Sequence, residues 1–207
     1  MNINRLHAFS DGVYAIIITI LVLELKIPEY EPHHLLEGIL SQAPMFIAFI
    51  ISFLYVGTLW LYHHDFFSTI KIADKKLNLI NLIILFTSTI IVYPTALLSE
   101  SFIHFNTDDV QVAVILYALT AMLCSASYIP IYPHLIKHMD LVNANVSINF
   151  YKESKYGPYI SISIYLLAIL ISFVNVYIAL IIIIIGILFH FYAYQKMNKT
   201  LHRNKNL

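Results

Sequence analysis

Residues 5–25 read RLHAFSDGVYAIIITILVLEL. From Ala15 onward the stretch is apolar except for Thr19 and Glu24, yet Arg5, Ser10 and Asp11 stand directly before it. A charge left unpaired in hydrocarbon costs about 3 kcal/mol on insertion scales. Arg5 and Asp11 therefore need partners, and at six residues apart they are not direct neighbours on one ideal helix. The chemistry required is found elsewhere in the chain: Trp60 and His63 in WLYHHDFF, residues 60–67, and Asn81 beyond it.

The whole chain shares the preference of its opening for lipid. Of 207 residues, 59% are hydrophobic and 12% charged, with a mean hydropathy of +0.76. Soluble domains carry about 25% charged residues, so the composition is that of an integral membrane protein. The net charge of zero and the scatter of the 12 basic residues argue against a nucleic-acid partner. Cys124 is the single cysteine, so an intrachain disulfide is excluded. Arg5 before an apolar run resembles the start of a secretory signal, but Asp11 interrupts it and ILVLELKIPEY, residues 20–30, offers no small-x-small cleavage site. The segment is expected to be a retained span.

Apolar stretches of bilayer length fall near residues 8–27, 43–67, 77–98, 110–132, 157–174 and 176–195. The expected fold is all-α, one polytopic domain of six transmembrane helices over residues 1–207. Cytoplasmic loops retain Lys and Arg. Arg5 precedes the first span, Lys71, Lys75 and Lys76 follow the second, and Lys137, Lys152 and Lys155 follow the fourth. Lys196, Lys199, Arg203 and Lys205 close the chain, leaving Lys26 alone on the other side. Both termini are therefore expected in the cytoplasm. The opposite side collects Glu24, Glu29, Glu31, Glu37, Glu100, Asp108 and Asp109. These carboxylates either concentrate cations at a mouth or are simply the acidic residues that translocate freely.

Catalytic signatures are lacking: there is no Gly-rich phosphate loop, no HExxH and no G-x-S-x-G. No enzyme activity is expected. His134 and His138, spaced i, i+4, would share one helix face but have no evident third metal ligand, and with His33 and His34 they read as ordinary interfacial side chains. His63 and His64 lie deeper, at the end of the second span, where an ionisable group faces protein rather than lipid. Trp60 fits either a polar contact or a plain interfacial anchor.

At about 100° per residue, Ile16, Thr19, Ile20 and Leu23 form one stripe of the first helix above Gly12, with Asp11 roughly 140° away from Ile16. By itself this stripe suits helix packing as well as a pore lining.

Arg5, Phe9, Ser10 and Asp11 spell R-x-x-x-F-S-D. With Trp60 and His63 of WLYHH, the stretch from Asn81 to Tyr93-Pro94-Thr95, and six spans, the chain resembles the transmembrane-protein-175 family of lysosomal potassium channels and their prokaryotic relatives. The resemblance implies a potassium channel of leak type in the plasma membrane, without a TVGYG carbonyl filter. Its first helices would line a central pore, with Ile16, Ile20 and Leu23 at the constriction and Thr19 supplying a hydroxyl layer. It further implies that the root formed by Arg5, Phe9, Ser10 and Asp11 packs against Trp60, His63 and Asn81. Animal members carry two six-span repeats, whereas this chain has one FSD, so the resemblance implies a homotetramer in the lipid bilayer. Potassium is the implied permeant ion, with no cofactor and no resident metal. His64 stands beside His63, and Asp65 where a basic residue often occurs.

An aliphatic ring offers no coordinating oxygens and gates by dewetting, a barrier that favours the less tightly hydrated potassium over sodium. Three other readings are compatible with the same residues: a proton-permeable channel, a proton-coupled cation transporter titrating Asp11 and the histidines, and a non-conducting scaffold. Transporters usually show paired repeats or broken helices near the midplane. Neither is evident here, where glycines number five.

Overall fold

The computed structural model describes residues 3–104 and 106–205, without the side chains of 103–104 and 202–205. Two of the terminal basic residues that bear on topology, Arg203 and Lys205, thus have side chains outside the described residues. Helix α1 spans Ile3–Ile20 and tightens into a 3₁₀ turn over Leu21–Glu24. A short α2, Leu35–Ser41, precedes α3, Ala43–Phe67, which has Pro44 in its first turn, where a missing N–H costs nothing. The Asp74 side chain caps α4, Lys75–Thr89, by accepting from the Leu77 amide at 2.7 Å. After a break at Ile90–Ile91 the chain resumes as α5, Val92–His104, with Pro94 near its start.

Asn106 caps α6, Thr107–Ser127, and the short α7, Ile131–Lys137, follows Pro130. Ser147 caps α8, Ile148–Ser154; α9, Gly157–Ser172, starts with Pro158 in its first turn; and α10 runs from Val176 to Lys205. These elements build six helical units long and apolar enough to cross a membrane: Ile3–Glu24, Ala43–Phe67, Lys75–Phe102, Thr107–Lys137, Ile148–Ser172 and Val176–Leu201. The chain is a multi-span membrane protein of all-α class.

Several boundaries differ from hydropathy expectations. The first unit begins at Ile3 rather than 8, because the polar residues of the FSD root are already helical. The third extends to Phe102, and the fifth gains α8 ahead of Gly157. In the first and third units the helix runs past the apolar stretch with polar residues buried against protein, Ser10 in one and Ser99 and Ser101 in the other, whereas the fifth adds α8 as a separate short helix.

Two buried clusters organise the bundle. One gathers Tyr14, Ile17 and Leu21 of α1 with Tyr55, Val56 and Leu59 of α3 and side chains of α6, α9 and α10. The other, toward the lysine-bearing end, joins Leu6 to Phe66, Phe67, Leu77, Ile80 and Tyr151 among others. There the α3–α4 turn is stitched to the segment after α7: Ile70 bridges Val142, Lys71 N donates to Leu141 O at 2.7 Å, and Asn143 N to Thr69 O at 2.9 Å.

Candidate functional site: a two-faced first helix and its polar root

Helix α1 buries Leu6, Ser10, Tyr14 and Ile17, continued by Leu21 in the 3₁₀ turn. These recur at three- and four-residue steps, one helical face, packed against α3 and α4. The opposite face is open: Ile16 is 58% exposed, Ile20 38% and Leu23 74%, and Thr19 is exposed with them. Gly12 and Ala8 extend this open face toward the amino terminus. Because i and i+3 eclipse in a 3₁₀ turn, the tightening at Leu21–Glu24 keeps Leu23 aligned with Ile20. The Thr19 hydroxyl donates to the backbone carbonyls of Ala15 and Ile16, both at 2.9 Å, which orients its oxygen lone pairs away from the helix axis.

Below the stripe, the polar root is held in two parts. In the first, His63 Nε2 lies 2.7 Å from Asn81 Oδ1, the Asn81 amide nitrogen donates to Ser10 Oγ at 3.0 Å, and Ser10 Oγ donates to Leu6 O at 2.9 Å. Since the Asn81 carbonyl oxygen is an acceptor, His63 carries its proton on Nε2. Ser10 Oγ also lies 3.3 Å from Asn81 Oδ1, so both ends of the Asn81 amide face the hydroxyl and join α3, α4 and α1. His63 also stacks on Phe67 at 4.1 Å between centroids and meets Tyr14 at 5.4 Å. Its Nδ1 has no hydrogen-bond partner among the described residues. Tyr14 OH meets Ser88 Oγ at 3.2 Å, a second tie from α1 to α4.

In the second part, Trp60 Nε1 donates to Asp11 Oδ1 at 2.9 Å, and His64 Nδ1 approaches the same oxygen at 3.3 Å. His7 closes on His64 with ring centroids 6.1 Å apart. Adjacent histidines thus serve different members of the FSD triplet: buried His63 reaches Ser10 through Asn81, and half-exposed His64 reaches Asp11. Spacing held a signal for this, since His64 is i+4 from Trp60 and shares its helix face. Arg5 and Phe9 are on the open side of α1, and Arg5 makes no hydrogen bond or ion pair among the described residues. The root and the stripe are two faces of the same helix, the inner one hydrogen-bonded to α3 and α4 and the outer one open.

Of the remaining histidines considered from sequence, His134 is buried and places Nε2 2.9 Å from Asp74 Oδ2, tying α7 to the cap of α4. His138 lies beside it at 4.9 Å between rings, and no three-residue metal-ligand group occurs among the described residues. At the other membrane face Lys26 pairs with Glu100 at 2.8 Å, joining the end of α1 to α5.

A six-helix membrane bundle whose first helix is anchored on one face and open on the other has the build of a channel subunit. Residues 5–94 match the family described as endosomal/lysosomal potassium channel TMEM175. A potassium channel of Chryseobacterium sp. is 38% identical over 180 residues, 87% of this chain and 88% of that protein. The crystal structure of a TMEM175 homologue from Chamaesiphon minutus, described as a lysosomal potassium-selective channel homologue, superposes with a TM-score of 0.78 at 28% identity, covering 95% of this chain and 98% of that one. The Gallus gallus endosomal/lysosomal proton channel TMEM175 is 37% identical over 88 residues, 38% of this chain and 18% of that protein. The chain belongs to the TMEM175 family, a family of ion channels rather than enzymes.

Proposed function

We propose that the chain conducts potassium selectively, as a leak-type cation channel of the plasma membrane, through a central pore lined by the α1 helices of four identical subunits. Both termini are cytoplasmic in this reading, since Lys71, Lys75, Lys76, Lys137, Lys152 and Lys155 lie in connections on the side of the termini. The carrying observation is the two-faced α1: Leu6, Ser10, Tyr14 and Ile17 are buried, while Ile16, Thr19, Ile20 and Leu23 remain open. Ile16, Ile20 and Leu23 form a hydrophobic gate, and Thr19 offers the one hydroxyl along it. Ser10 and Asp11, held by Trp60, His63 and Asn81, fix its rotation, while Arg5 and Phe9, expected in the same root, face the open side of α1 with the stripe. Potassium passes without a resident metal or cofactor.

An aliphatic constriction repays little of the hydration an ion sheds, so selectivity follows hydration energy and modest widening erodes it. The test is a bi-ionic reversal potential in planar bilayers for the purified protein and its Ile16→Ala and Leu23→Ala variants. A falling potassium-to-sodium permeability ratio in both is expected; unchanged ratios in both would remove the gate from these positions.

Proton permeation is a second reading, favoured by the proton-channel relatives and by His7, His64 and Asp11 clustering at the foot of α1. A reversal potential that follows an imposed pH gradient under symmetrical potassium would establish it.

A further inference from the structure

On the side of the bundle formed by α9 and α10, which pack chiefly on each other, on α6 and on α3, two cavities share one groove. The inner one, 510 Å³, is apolar along Tyr62, Phe150, Gly157, Ile160, Phe189 and Ala193. The outer one, 610 Å³, is polar and lined by Asn149, Gln195, Lys199 and Thr200 among others. Phe150, Glu153, Tyr192, Lys196 and Thr200 border both, so the groove passes from apolar to polar without a wall. The sequence builds it in two ways. Gly186 lets α10 close tightly on Tyr165 of α9 in mid-span, while α8, ahead of Gly157, supplies one wall of the groove through Phe150 and Glu153 opposite Tyr192 and Lys196 of α10. Exposed Tyr156 and Tyr192 line the groove, the residue type that gathers at a membrane–water interface.

We propose that this groove binds an anionic membrane phospholipid, with its phosphate at Lys152, Lys196 and Lys199 and one acyl chain along the apolar half. Lys196 borders both cavities, Lys199 the polar one and Lys152 the apolar one, against the single carboxylate of Glu153, so the groove as a whole is cationic. Basic pockets between spans are favoured seats of anionic headgroups. The apolar half requires a chain continuous with that headgroup and already resident in the bilayer, which a free phosphate lacks. The site is on a different face from the open stripe of α1 and does not rest on the conduction proposed above.

Native mass spectrometry of the full-length protein in detergent tests it, with dioleoyl-phosphatidylglycerol, dioleoyl-phosphatidylcholine and inorganic phosphate as separate probes. Phosphatidylglycerol should be retained roughly tenfold more strongly than phosphatidylcholine, and inorganic phosphate should neither bind nor displace it. The preference should vanish in Lys152→Gln/Lys196→Gln and persist in Lys75→Gln/Lys76→Gln, which removes two lysines outside the groove. Ala193→Phe keeps every charge and should weaken both lipids by filling the apolar half. Equal retention of the two lipids by the unaltered protein would overturn the proposal. So would a preference that survives loss of Lys152 and Lys196, or displacement of phosphatidylglycerol by inorganic phosphate.

Discussion

His63 Nε2 stands 2.7 Å from Asn81 Oδ1, both side chains buried, at the point where α3 and α4 meet the FSD root of α1. Asn81 is the centre of the relay, since its amide also serves Ser10. Asn81→Leu would leave the His63 N–H without its acceptor and remove the donor to Ser10. A buried group stranded in this way costs about 1–3 kcal/mol, although in bilayers unfolded segments find substitutes and single cross-helix bonds average about 0.6 kcal/mol. Because the substitution breaks both hydrogen bonds of the relay, a destabilisation of about 1–3 kcal/mol is expected in reversible detergent unfolding. A variant within about 0.5 kcal/mol of the parent, the scatter of neutral surface changes, would show that the relay does not hold the helices together.

Trp60→Phe isolates the second part of the root. It keeps an aromatic ring against α1 but deletes the donor to Asp11, leaving the carboxylate to His64 Nδ1 at 3.3 Å. A loss of about 1 kcal/mol is expected, with Asp11→Ala costing more because it strands Trp60 and His64 together. The two effects should be strongly non-additive in the double variant, since both remove the same bond. Additive losses would place the role of Trp60 elsewhere.

Thr19→Val probes the open face without disturbing the anchored one. The Thr19 hydroxyl bonds only to carbonyls of its own helix, so stability should stay within about 0.5 kcal/mol of the parent. Under the pore proposal, unitary potassium conductance should fall, because the one hydroxyl along the aliphatic stripe is gone. Unaltered conductance would show that permeating ions do not meet this position.

How much of the fold is legible in the sequence follows from what enforces each feature. Bilayer thickness imposes length on every span, so the six units are readable from hydropathy. Their ends are not, because Leu6 and Ser10 are buried among other helices and need no apolar run of their own. The open stripe and the partners Trp60, His63 and Asn81 are accessible from helical phase and depth. The division of labour between His63 and His64 is not, since adjacent residues differ by about 100° and only the positions of α1 and α4 decide which partner each meets. The groove beside α8 is invisible for a similar reason: a seven-residue helix leaves little periodic signal.

At the lysine-bearing end, Asp74 gives a pH-dependent prediction. Burial pushes its carboxyl up, but the Leu77 amide and the hydrogen bond and charge of His134 outweigh this and hold it below its ordinary 3.8. A depressed native value contributes stability that is complete above the unfolded value and is lost as pH falls through the native one. Asp74→Asn, which can still cap α4, should therefore be less stable than the parent between pH 5 and 7, with the gap closing as pH drops below 3.8. Asp74→Ala should lose about 1 kcal/mol more through the cap itself. Thermal unfolding in detergent at stepped pH measures both, and a gap for Asp74→Asn that stays constant down to pH 3 would contradict the charge contribution.

The closure of α10 on α9 makes the sharpest packing prediction. A Cβ at Gly186 would lie 2.7 Å from Tyr165 Cε1, 2.8 Å from Cζ and 3.0 Å from the hydroxyl oxygen. Tyr165 is fully buried against the rings of Tyr55 and His190, with centroids 6.5 and 6.0 Å away, so its ring must shift within a filled core to admit a methyl group. Alanine is the better helix former by about 1 kcal/mol, but overpacking a filled core costs about 1–3 kcal/mol, so Gly186→Ala should be destabilising on balance. The clash rather than the backbone is responsible if Tyr165→Leu, itself destabilising, accepts Gly186→Ala at no further cost. A double-mutant cycle by detergent unfolding reads this coupling directly. Zero coupling, or a Gly186→Ala variant more stable than the parent, would mean that α9 and α10 do not approach this closely in the membrane.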